Sequence, residues 1–159
     1  MTKGGTTVGN GNTLEQLSNA LADAVDQIDQ SLVQVNGRHR LPASGIVFDE
    51  GWIVTADHVL EREENILIGT HDGRELNARL AGRDMGSDLA VLQVEGLDLP
   101  AATQAETVRV GEVALALGRP WGGSPMASLG VVSAVGGPLV GHGRRRGGGG
   151  PRWGRRHRR

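Results

Sequence analysis

Gly51-Trp52-Ile53-Val54-Thr55-Ala56-Asp57-His58-Val59-Leu60 is the stretch on which the fold turns. Asp49, Glu50 and Gly51 make a turn, and the β-favouring Trp52, Ile53 and Val54 follow it. The small pair Thr55-Ala56 leads to Asp57 and His58, so the histidine falls where a strand ends. Rigid elements hold chemical groups well at such ends. Thirty residues on, Ser87-Asp88-Leu89-Ala90-Val91-Leu92-Gln93-Val94 places an acid at the mouth of another strand. A histidine and a buried acid brought together by the fold are two members of a hydrolase triad.

Working outward, short alternating segments recur with turn residues between them. Upstream lie Ser31–Val35, an Asn36-Gly37 turn signal, and Ala43–Phe48. Downstream lie Asn65–Ile68, the turn His71-Asp72-Gly73, Glu75–Leu80 and Leu89–Val94. Strands at this spacing predict an antiparallel barrel or sandwich. After a polar connector from Ala101 to Arg109, Glu112–Leu117 and Ser128–Ala134 predict two more strands. The loop Gly118-Arg119-Pro120-Trp121-Gly122-Gly123 separates them. Arg83 and Asp84 read as part of a solvated loop.

Ahead of the strands, Leu14, Leu17, Leu21, Val25 and Ile28 recur at helical spacing, with Thr13 and Gln16 as a capping box. The face predicts a helix packed on its own domain, with docking or oligomerisation as the alternative. The chain thus divides into a disordered N-terminus (1–12), an amphipathic helix (13–30), a strand-rich body (31–100), a segment with two further strands (101–135) and a disordered Gly/Arg-rich tail (136–159).

Composition narrows the chemistry. The 159 residues contain no cysteine, which excludes a thiolate metal site, a cysteine nucleophile and a disulfide scaffold. Aromatic residues are 3%, so the core must be aliphatic. Neither a secretory leader nor a run of about 18 apolar residues is visible. The net charge of −1 conceals a split: residues 144–159 carry eight arginines and no acid, leaving the body at −9. His71 reads as a surface turn residue, and the tail histidines His142 and His157 fit no metal spacing. No metal or cofactor is expected.

With His58 and Asp88 at two strand ends, the chain resembles a trypsin-like serine protease of the HtrA, or high-temperature-requirement, branch. Four blocks carry the likeness: Ser44–Val47 with Gly51–Val59, Asp84 with Ser87–Leu92, Gly111–Pro120, and Gly130–Ala134. The resemblance implies an all-β fold, with one trypsin-like first β-barrel (31–100) and the first strands of an incomplete second (101–135). It implies hydrolysis of polypeptide substrates without a cofactor, His58 as general base and Asp88 as its orienting acid. Family members are often periplasmic or membrane-associated. Asp57 adjoins His58, but neighbours at a strand end point different ways, so Asp88 is the expected triad acid.

The likeness stops at the nucleophile, which in the family stands in a Gly-Asn-Ser-Gly-Gly-Pro type motif. Gly136-Gly137-Pro138 looks like its tail, yet Val135 occupies the serine position. Ser133 is two positions early, and Ser44, Ser87, Ser124 and Ser128 have the wrong context. The expectation is therefore an HtrA-like endopeptidase homologue with no identifiable nucleophile, inactive as this chain. The alternatives are a non-catalytic protein-binding module, or an Arg-rich tail that contacts nucleic acid or an anionic surface. Gly, Arg, Pro, His and Trp have G- and C-rich codons, so the tail also reads as a frame-shifted coding sequence. Unpaired strands at 112–134 predict self-association.

Overall fold

The computed structural model describes residues 10–39 and 41–136. The expected disorder of the tail, together with Gly137, Pro138, His142 and His157, lies outside the described residues. Among those described are one helix, α1 (Asn10–Asp29), and eight strands. The strands are β1 (Leu32–Asn36), β2 (Ala43–Asp49), β3 (Trp52–Ala56), β4 (Ile66–Gly69), β5 (Glu75–Asp84), β6 (Leu89–Val94), β7 (Val113–Gly118) and β8 (Met126–Val131).

Strands β1 to β6 close into an antiparallel barrel in the order β1-β2-β3-β6-β5-β4, while β7 and β8 form a separate two-stranded sheet. Alternation explains the closure. Val33, Val35, Val47, Ile53, Ile66, Ile68 and Leu92 point inward and are fully buried. The intervening residues face out, so each strand gives one apolar face to a common interior. Gly45 makes the interior fit: a methyl group there would stand 2.7 Å from Ile53 Cγ2 and 2.9 Å from Val35 Cγ2. Alternation alone left barrel and sandwich open; the closed barrel with the beginning of a second sheet is the architecture that the family resemblance implies.

Several local expectations are corrected. The helix starts at Asn10, which puts Thr13 inside its first turn rather than at the cap. Leu14 and Leu17 are 69% and 50% exposed; only its later apolar residues, Leu21, Val25 and Ile28, are half-buried. The helix thus packs on its domain through its C-terminal half alone. Asn36-Gly37 does not make a tight hairpin: six residues separate β1 from β2, and the Gly37 carbonyl accepts the Glu61 and Arg62 amides. The strand expected to stop at Leu80 continues to Asp84 through a bulge between Leu80 and Gly82. Arg83 and Asp84 therefore lie on a strand opposite Ala90 and Leu89, not in a loop.

The second sheet has one apolar face. Its register sets Val113 opposite Val131, Leu115 opposite Leu129 and Leu117 opposite Ala127. Leu115 and Leu117 border a groove of about 370 Å³ whose other wall includes Ile28, Leu32, Ile46 and Val54. Val113, Leu129 and Val131 are exposed.

A buried arginine holds this sheet to the barrel. Arg119, in the β7–β8 loop, is 1% exposed. Its side chain donates to the Leu32 carbonyl (3.2 Å) and the Asp29 carbonyl (3.2 Å), and forms an ion pair with the Asp29 carboxylate. Its backbone N–H donates to Ser44 Oγ at 2.7 Å. Gln34 Nε2 adds a bond to the Pro120 carbonyl at 3.0 Å.

Candidate active site

The β3–β6 register builds the site. Ala56 pairs with Leu89, so the next step outward sets Asp57 against Asp88. The Asp57 amide duly donates to the Asp88 carbonyl at 3.0 Å. Beyond this last rung both chains leave the sheet. Asp57–Val59 winds into a single 3₁₀ turn, closed by the Leu60 amide on the Asp57 carbonyl. Asp88 takes the left-handed conformation, φ 57°, which aspartate tolerates better than most side chains.

These two departures turn the Asp88 carboxylate onto His58. Oδ1 accepts the His58 backbone N–H at 2.9 Å, and Oδ2 lies 2.6 Å from ring Nδ1. The two-point grip fixes both the backbone and the ring of the histidine. An ionised Asp88 at Nδ1 requires the proton there, which leaves Nε2 with the free lone pair. The His58 backbone N–H, and then its ring, hold the Asp88 carboxyl below the ordinary value of 3.8. Because the folded value is depressed, the pairing stabilises the fold above the unfolded value and is lost as pH falls through the folded one. Following the Asp88 carboxyl ¹³C shift should give a midpoint below 3.8. His58→Ala should move that midpoint only part of the way back, because the backbone bond survives.

Asp88 was expected to be buried, and the structure corrects this. Its side chain is 51% exposed and that of His58 is 68% exposed, both on the barrel rim. Hydrogen bonding rather than desolvation therefore governs the carboxyl. The buried acid is the neighbour: Asp57 is 7% exposed and its Oδ1 accepts from Arg83 Nε at 2.5 Å. Asp57 thus points away from the ring and is committed elsewhere, as a strand-end neighbour should be. The Asp57–Arg83 contact is not visible in the sequence, because Arg83 follows the bulge between Leu80 and Gly82 in a stretch with the composition of a loop.

The candidate nucleophile positions are accounted for individually, and Ser124 is exposed in the β7–β8 loop. Val135 is exposed. Ser133 Oγ donates to the Val131 carbonyl at 3.3 Å, Ser87 Oγ donates to Asp84 Oδ2 at 2.7 Å, and Ser44 Oγ accepts from Arg119. Ser128 lies on β8 and lines a second groove of about 300 Å³ with Ser44 and Met126. Among the described residues, His58 hydrogen-bonds to Asp88 alone. No cluster of three or more metal-ligating side chains is found among the described residues.

The family model of the trypsin-like peptidase domain matches residues 43–156. The chain belongs to that family. Within it, the proteins that this trypsin-like domain resembles are DegP-like and HtrA-type serine proteases. A probable periplasmic DegP-like serine endoprotease of Halomonas elongata is 38% identical over 100 residues, 62% of this chain and 21% of that protein. The serine endoprotease of Yersinia pestis superposes with a TM-score of 0.65 at 32% identity, covering 72% of this chain and 44% of that one. An HtrA-type protease AlgW structure with tripeptide gives the same TM-score and identity over 76% of this chain and 42% of that one. The HtrA-like domain spans about a fifth of the length of the curated relatives it matches. No helix among the described residues is long and apolar enough to cross a membrane.

Proposed function

We propose that His58 and Asp88 are the base-and-orienting half of a serine endopeptidase site, carried on a chain that holds no nucleophile of its own. The observation that carries this reading is the two-point bond of Asp88 to the backbone and ring of His58. Asp88 holds the Nδ1–H tautomer, so Nε2 can take the proton of an attacking serine hydroxyl. The serine oxygen bonds to the scissile carbonyl carbon as that proton moves. Asp88 stabilises the imidazolium, and Nε2 then returns the proton to the leaving amine. The substrates implied are polypeptides, the class on which the endoprotease relatives act by name. A periplasmic setting is proposed on the same ground.

The domain division proposed alongside is a helix, a complete first barrel, the opening hairpin of a second, and a Gly/Arg-rich tail. The exposed Val113, Leu129 and Val131 on that hairpin support self-association through the second sheet. Assay of the unaltered chain against an unfolded polypeptide tests the functional reading. Hydrolysis should equal the buffer rate; turnover that disappears in His58→Ala would overturn the missing-nucleophile half of the proposal.

A further inference from the structure

Exposure poses a problem that the His58–Asp88 pair does not solve by itself. The His58 side chain is 68% exposed, so packing does not hold the ring. Its aim depends on the one-turn segment Asp57–Val59, and a single 3₁₀ turn has little stability alone. The backbone is tied on both sides: the Asp57 amide ends the β3–β6 ladder, Val59 and Leu60 are buried in the core, and the Gly37 carbonyl takes the Glu61 and Arg62 amides. None of these contacts holds the Asp57 side chain at the start of the turn.

Arg83 adds a side-chain tie across the turn. From the last rungs of β5 its Nε donates to Asp57 Oδ1 at 2.5 Å. One terminal nitrogen reaches the Leu60 carbonyl, just past the turn, at 3.5 Å, and the other meets Glu63 Oε1 at 3.3 Å. The guanidinium therefore spans the turn from its first residue to the chain beyond its end. The pair is also sheltered: the Asp57 side chain is 10% exposed and that of Arg83 30%. Water screens such a contact far less than a surface ion pair.

The same strand end serves the acid. Asp84 accepts the Gly86 amide at 2.9 Å and the Ser87 hydroxyl at 2.7 Å, closing the loop that carries Asp88. Consecutive residues of β5 thus brace both members of the pair. The other charged groups near the turn are engaged elsewhere: Glu61 accepts the His39 amide, and Arg62 donates to the Arg38 carbonyl.

We propose that Arg83 is the positioning residue of this site, its guanidinium clamping the Asp57–Val59 turn so that the His58 ring stays on Asp88. This rests on the His58–Asp88 reading above. Arg83 touches neither ring nor substrate; it acts through Asp57. A fork that bridges a carboxylate and a carbonyl suits arginine and is only half reproduced by lysine.

Ring ¹⁵N shifts of His58, measured at alkaline pH on the full chain, report the ratio of the Nδ1–H to the Nε2–H tautomer. The Nδ1–H form should dominate in the parent and lose that dominance in Asp88→Asn. Arg83→Gln should lower the ratio by a factor of about three to ten, the range expected when a charge-assisted hydrogen bond is lost one residue away. Core methyl signals should stay unchanged, and Arg83→Lys should restore part of the ratio. A folded Arg83→Gln protein with the parental ratio overturns the proposal. Should Arg83→Gln not fold, Asp57→Asn decides: a lowered ratio supports the clamp and an unchanged one overturns it. A ratio that Asp88→Asn leaves intact would instead refute the His58–Asp88 reading itself.

Discussion

A chimera joining residues 1–135 to the later second-barrel segment of the Halomonas elongata relative is expected to hydrolyse polypeptide, and His58→Ala should cost it about 10⁶ in kcat. The expectation follows from how triads work. Nucleophile and base act as a unit, so removing either forfeits nearly the whole covalent route. Residual rate comes from binding and oxyanion donors alone. Asp88→Ala should cost less, about 10⁴, because its task is to hold the tautomer and stabilise the cation. The order of the two effects matters as much as their size. Losses that were equal, or reversed with Asp57→Ala exceeding Asp88→Ala, would contradict the assignment of Asp57 to the Arg83 pair. Steady-state kinetics on the three variants in the chimera checks both.

Removing the Asp29 carboxylate should produce the largest loss of stability. Arg119 is 1% exposed, and Asp29 is its only anionic partner among the described residues. Asp29→Ala strands a buried cation with only backbone carbonyls. Breaking a buried pair from one side costs about 3–5 kcal/mol; the half-buried position of Asp29 and the surviving carbonyl bonds place this case near the lower figure. Arg119→Leu in the same background should recover part of the loss, because it removes the unpaired charge. The damage should be local as well as global. Arg119 lies in the β7–β8 loop, so amide exchange in Val113–Gly118 and Met126–Val131 should accelerate more than in the barrel. Denaturant unfolding of Asp29→Ala with the parental midpoint would refute the anchoring role.

Both expectations depend on contacts of different visibility in the sequence. The barrel was legible because every second residue of its strands is an inward aliphatic, as in Val33-Gln34-Val35 and Ile66-Leu67-Ile68, and because turn residues punctuate the strands. His58 and Asp88 were legible for a related reason. Each follows or precedes a strand whose end is marked, so pairing β3 with β6 brings them together. The far end of β5 was not legible. The bulge between Leu80 and Gly82 breaks the period of two, and Arg83-Asp84 after it looks like a polar loop. The Asp57–Arg83 clamp was lost with it. The exposure of Asp88 was missed because a strand-mouth position does not say whether the rim is covered.

Arg119 shows a harder limit. It sits among Gly118, Pro120, Trp121 and Gly122, a loop composition in which an arginine is ordinarily solvated. Its partner stands 90 residues earlier. Nothing local signals that separation, although Asp29 carries a hint. An acid at the last residue of α1 opposes the helix dipole, a cost that the Arg119 pair offsets. The helix is the remaining case. Its apolar spacing marks a helix, but spacing alone does not say how much of the face is covered. Leu14 and Leu17 stand clear of the barrel.

Active-site labelling with a fluorophosphonate, read by intact mass on the unaltered chain and on the chimera, tests the central claim most directly. The chimera should take up one phosphonate, at the serine supplied by its second barrel, and lose that uptake in His58→Ala. The unaltered chain should take up none, because His58 and Asp88 are paired and no serine completes them. A phosphonate adduct on any serine of the unaltered chain would contradict the account.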